Sequence, residues 1–166
     1  GNFQYALEAA KKAVENAPDL KEARYNYAVA ELHSGDLANS IVLLKELLLE
    51  LPDYLPAQFI LAAAYCCSAD KETGLAALNE LKASSMGAFL VYSCAELAKG
   101  LMTAQRHSYA LNLLSAAMEC EIINAEILNL FADCIRLKEN ENSAINIDGQ
   151  LGSDSLSYAA ENMRPF

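Results

Sequence analysis

The stretch Lys21 to Pro52 reads KEARYNYAVAELHSGDLANSIVLLKELLLELP: two segments of helical period, parted by Ser34-Gly35-Asp36 and closed by a proline. The same grammar returns at a fixed distance. Gly1, Ala6, Leu7 and Pro18 reappear as Gly35, Ser40, Ile41 and Pro52, and Tyr27-Ala28 as Leu61-Ala62, each 34 residues on; Pro52 likewise maps to Met86. A period of one helix pair constrains the fold strongly. Such a pair cannot bury its apolar face alone and must stack on the next. Ala and Leu dominate a hydrophobic content of 54%, with few Gly and Pro, and both lose little on entering a helix. No short β-branched run bounded by turns reads as a strand, so the chain is expected to be all-α.

The units follow in order. A first helix over Asn2 to Asn16 carries the stripe Tyr5, Ala6, Ala9, Ala10, Ala13 and Val14 and stops at Pro18. Asp19, with Glu22 three residues on, is the expected N-cap of the next helix, which presents Ala23, Tyr27, Ala28 and Leu32. Gly35 turns the chain, Asp36 caps, and Ile41, Leu44, Leu47, Leu48 and Leu51 line the partner helix. Small residues at Ala28 and Ser40 let the pair approach closely. In the third unit Asp53 caps, Pro56 sits in the first turn, the first helix over Tyr54–Ser68 carries Phe59, Leu61, Ala62 and Tyr65, and Asp70 begins a second with Leu75, Leu78 and Leu81 on its apolar face. A turn at Ser84-Ser85-Met86-Gly87, two residues longer, brings Ala110-Leu111 into register with Ser40-Ile41 and Gly74-Leu75. The fourth unit pairs helices over about Phe89–Thr103 and Ser108–Glu121. A fifth first-type helix follows over Asn124–Lys138 with Ile127, Leu128, Phe131, Ala132 and Ile135.

This period and spacing resemble the tetratricopeptide repeat (TPR) family. The resemblance implies a right-handed α-solenoid of antiparallel helix pairs, about four repeats over 1–138, with a polar linker and short C-terminal helix over 139–166. It also implies a non-catalytic protein-interaction scaffold, whose first helices line a concave groove. Carried onto this chain, that groove comprises Tyr25, Val29, Leu32 and His33, then Phe59, Ala63, Cys66 and Cys67, then Tyr92, Ala95, Lys99 and Met102. The fifth unit adds Glu126, Asn129, Asp133 and Arg136. It lacks the Lys/Asn cluster of the family's chaperone-binding subclass. The segment AQFILAAAYCCSA is apolar nearly all round, and a helix of that kind is expected to be covered on every side. A peptide or helix partner, a second copy forming a homodimer, or the chain's own tail would cover it.

Other chemistry is disfavoured. A formal net charge of −10 repels phosphate backbones, so no nucleic-acid partner is expected. No stretch of about 20 residues is uniformly apolar, so no membrane span is expected. Cys66, Cys67, Cys94, Cys120 and Cys134 form no CxxC pair and read as reduced core residues within helices, which suits a cytoplasmic location. His33 and Cys67 occupy equivalent places in successive repeats, but a metal site needs more ligands. No Gly-rich phosphate loop, HExxH or Gly-x-Ser-x-Gly motif is present, and no catalytic role, cofactor or metal is assigned.

The alternative reading is an accessory or oligomerising TPR region of a larger bacterial enzyme, such as a glycosyltransferase. The opening helix, a second-type helix without its first, suggests a fragment of a longer chain. At the other end, Ser153-Asp154 can cap a helix with Leu156, Ala159, Ala160 and Met163 on one face. That helix is expected to cover the fifth unit or to enter a neighbour's groove.

Overall fold

The computed structural model describes residues 2–84 and 87–141. Every regular element among them is a helix. These are α1 (Asn2–Asn16), α2 (Lys21–Ser34), α3 (Leu37–Glu50), α4 (Leu55–Cys67), α5 (Lys71–Ala83), α6 (Gly87–Thr103) and α7 (His107–Glu119). An eighth, α8, spans 125–141 and so continues past Lys138. The expectations for residues 85 and 86 of the long turn, and for the tail from 142 to 166, lie outside the described residues.

The turn chemistry explains most helix ends. Gly35 closes α2 in the left-handed conformation at φ 100°, and the Asp36 amide reaches back to the Glu31 carbonyl at 3.0 Å. The same back-reaching bond recurs where Arg106 N–H meets Leu101 and where Ile122 N–H meets Ala117. The residues at those two corners, Gln105 and Glu121, therefore adopt positive φ without being glycine. Asp36 caps α3 by accepting the Asn39 amide at 2.9 Å, Asp70 accepts that of Thr73, and Asn124 accepts that of Ile127 at 2.8 Å. The expected caps at Asp19 and Asp53 are corrected: Leu20 and Tyr54 hold those positions, and neither helix start has a side-chain cap bond. Each chain enters its helix one residue later than the aspartate, so the carboxylate stays in the turn.

Close helix pairs need small side chains at one recurring place, and the chain supplies them. Ser40 is fully buried and its hydroxyl donates to the Ala28 carbonyl at 2.8 Å. At the equivalent Gly74, a Cβ would lie 2.5 Å from the Cys66 amide nitrogen and 2.8 Å from the Ala62 carbonyl oxygen. Ala110, the third equivalent, is also fully buried. Leu44, Leu47 and Leu78 complete the second-helix core faces with no exposure.

Consecutive helices pack on one another from α1 through α5, and again α6 on α7, as a helical repeat requires. The array then departs from simple stacking. Helix α5 meets both α6 and α7 only lightly, and α7 packs chiefly on α4 instead. The α6–α7 pair is thus folded back over α4, which becomes the centre of the molecule. Eight of its thirteen residues are buried, in keeping with a helix that is apolar all round.

The α1 stripe is also corrected. Tyr5 is 78% exposed, and Ala6, Ala9 and Ala13 are exposed too. Ala10 and Val14 of that stripe are half-buried, and they share the face turned to α2 with Phe3 and Leu7. The helix has two apolar stripes and, among the described residues, one neighbour. Its position Ala13 corresponds to Leu47, which is fully buried in the next unit, where α3 has both α2 and α4 as neighbours. Cys120 likewise sits just past α7 and not within it.

Candidate functional site

The twelve groove positions separate into interior and surface. Leu32, Phe59, Ala63, Cys66, Cys67 and Ala95 are buried by the chain itself. The Cys67 thiol donates to the Tyr109 carbonyl of α7 at 3.3 Å, and Phe89 of α6 meets Phe59 edge-on with centroids 6.2 Å apart. Cys66, Cys94 and Cys120 gather where α4, α6 and the end of α7 converge. The apolar wall that needed covering is therefore covered by α6 and α7, and these positions form core. Burial pushes the thiols of Cys66, Cys67 and Cys94 up to about 12, with neighbouring thiols adding to the effect. They stay un-ionised at neutral pH and are poor nucleophiles.

Tyr25, Val29, His33 and Met102 are half-buried, and Tyr25 meets Tyr54 edge-on at 5.7 Å. Tyr92 and Lys99 are exposed. Lys99 bridges Glu126 at 2.7 Å and Glu96 at 2.8 Å, which ties α6 to α8 and raises the lysine pKa.

His33 and Cys67 do not share a site. The His33 ring stacks on Phe3 at 5.9 Å, its Nδ1 meets the Val29 carbonyl at 3.0 Å, and its Nε2 is buried without a partner. A Cβ at Gly100 would come within 2.6 Å of that Nε2, so a side chain there would displace the His33 ring or α6. Desolvation lowers the His33 pKa and keeps the ring neutral. Among the described residues, no group of three or more His, Cys, Asp or Glu could hold a metal ion.

Several clefts are open among the described residues. The first, about 390 Å³, lies between α3 and α5 with α4 as its floor. Leu48, Leu61, Tyr65 and Ala77 give it an apolar interior, and Gln58, Thr73, Glu80 and Ser84 give it a polar rim. Lys45 stands over the Tyr65 ring at 5.4 Å. The second, about 830 Å³, lies between the start of α1, the end of α2 and the α6–α7 turn. Phe3, His33, Gln105 and Arg106 border it, and among the described residues no carboxylate does. The Arg106 guanidinium donates to the Ser34 carbonyl and so fastens that turn to the end of α2.

Comparison with protein-family models, curated proteins and solved structures finds no match to this chain. No helix of the described residues is long and apolar enough to cross a membrane.

The α3–α5 cleft was missed because one side of α4 was assigned to a groove and the other to packing. Its signal was present in the sequence. Leu61 and Tyr65 stand four apart on the side of α4 away from Ala63 and Cys67, and a helix apolar all round has two sides to account for.

Proposed function

We propose that the chain is a non-catalytic protein-interaction module of TPR type, a right-handed array of antiparallel helix pairs that binds a peptide or helix. The carrying observation is the cleft between α3 and α5. An apolar floor inside a polar rim suits one or two apolar side chains of a partner, with the rim fixing the backbone. The buried, un-ionised thiols support a binding role over nucleophilic chemistry. The acidic balance, a net −10, favours partners carrying basic residues beside their apolar anchors.

The test is selection of binding peptides from a displayed random library on the full chain, followed by amide chemical-shift mapping. Shifts centred on Leu61, Tyr65 and Ala77, abolished by Ala77→Arg with helicity retained, are expected. Shifts confined to Tyr25, Tyr92 and Met102 would return the site to the concave face. A second reading, an accessory region packed against another body of a larger bacterial enzyme such as a glycosyltransferase, is favoured by the exposed α1 stripe of Tyr5, Ala6, Ala9 and Ala13.

A further inference from the structure

The α3–α5 cleft runs into a second hollow. Gln58, Leu81 and Ser84 border both, and the second, about 360 Å³, is bounded on its far side by Asp53 and Leu55. Every polar side chain at this junction offers an acceptor. The Gln58 amide donates to the Pro52 carbonyl at 2.6 Å and the Ser84 hydroxyl to the Glu80 carbonyl at 3.1 Å, which leaves their oxygens to accept. Glu80 and Asp53 are exposed, and neither carboxylate meets a cation among the described residues. Carboxylates at the helix contacts are matched instead: Glu50 by Arg24, Glu119 by Lys71, Glu121 by Lys82 and Glu126 by Lys99. Lysines on the adjoining helices are taken up elsewhere, Lys82 by Glu121, Lys21 by Glu22 and the Tyr54 ring, and Lys45 by the Tyr65 ring at the opposite end of the cleft.

An apolar side chain seated in the cleft would leave those acceptors without a donor. A cation two residues away supplies it. The midpoint of Leu61 and Tyr65 lies about 7–8 Å along α4 from Gln58, and two residues of extended chain cover about 7 Å with both side chains on one face. We propose that the joined clefts take an extended segment of a partner protein in which an apolar residue stands two places from a Lys or Arg. The apolar group lies among Leu48, Leu61, Tyr65 and Ala77, and the cation between Glu80 and Asp53. This rests on the α3–α5 cleft being the binding site proposed above, and fixes the partner's charge and spacing there.

Two displayed peptide libraries panned on the full chain test it, one with an apolar residue and Lys fixed two places apart, the other with Gln in place of Lys. Selected peptides are titrated by fluorescence anisotropy against the wild type, Glu80→Gln, Asp53→Asn, the double variant and Ala77→Arg, each checked for unchanged helicity. Lys peptides are expected to bind about tenfold more tightly than their Gln twins. They should lose about threefold with each carboxylate variant and about tenfold with both, and weaken with added salt. Gln peptides should ignore the carboxylate variants, and Ala77→Arg should abolish both kinds of binding. Equal affinity for Lys and Gln peptides, both lost in Ala77→Arg, would overturn the proposal and leave the cleft standing as a binding site. Binding indifferent to Ala77→Arg, or none from either library, would remove the cleft itself. A dimer that Ala77→Arg splits, or peptide binding that appears only after residues 142–166 are deleted, would also overturn it, by seating a second copy or the chain's own end there.

Discussion

Replacing Gly74 with alanine puts a methyl group into the close contact between α4 and α5. The new carbon would lie 2.5 Å from the Cys66 amide nitrogen, 2.6 Å from its sulfur and 2.8 Å from the Ala62 carbonyl oxygen. Ordinary heavy-atom contacts sit near 3.5–4.0 Å, so α4 and α5 would have to part by about 1 Å. Two of the three obstructing atoms are backbone and cannot swing aside. Overpacking of this kind costs about 1–3 kcal/mol. The opposing gain from helix propensity is at most about 1 kcal/mol. Strain therefore offsets the propensity gain and exceeds it by up to about 2 kcal/mol, and further loss follows where the shift opens gaps beside Leu78. Gly87→Ala is the control, because a Cβ there meets nothing within 4 Å. Urea unfolding of the two variants side by side gives the answer. Gly74→Ala should lower the midpoint, while Gly87→Ala should leave it or raise it slightly. If Gly74→Ala matches or exceeds the wild type, the close approach of α4 and α5 is wrong.

Leu44→Ala and Leu78→Ala each empty a fully buried site and should cost about 2–5 kcal/mol by urea unfolding; near-wild-type midpoints would contradict their core placement. Gln105→Gly relieves a left-handed residue at φ 59° and should stabilise by about 0.5–1 kcal/mol, the strain relieved exceeding the entropy lost; a destabilised variant would refute that turn. His33 is held neutral in the fold, with its pKa below 6.5, so as pH falls the unfolded chain takes the proton first. Its contribution is therefore full above about pH 6.5 and declines as pH drops through that value toward the folded pKa. His33→Leu should flatten this part of the pH dependence of the urea midpoint, and an unaltered profile would remove His33 from it.

The helices and their pairing were readable because the signals are local. Periodicity placed α2 to α5 within a residue or two, and the repeated small position at Ser40, Gly74 and Ala110 foretold which faces approach closely. What could not be read was the fold-back of α6 and α7 onto α4. A strict period assigns each helix to its sequence neighbours, and nothing local in Tyr109 or Cys120 announces that they meet Cys67 and Leu75 across more than forty residues. The same assumption turned six interior residues into a groove wall. It also merged the two stripes of α1 into one, since Tyr5 and Phe3 are equally apolar and only the presence of a neighbour separates them.

Enclosing α4 changes what kind of object the repeat array is. In an open stack each unit leans only on its neighbours, so units can be duplicated or lost, and an end can melt while the remainder stands. Here the last complete pair shuts onto the middle, and Arg106 clasps the end of α2. An extra unit inserted between α5 and α6 would lift that clasp away from its seat. Length is thereby constrained from within, and α2 to α7 are expected to melt as one body. Growth by duplication, the ordinary route for stacked helices, is closed to the interior of this chain and open only at its ends.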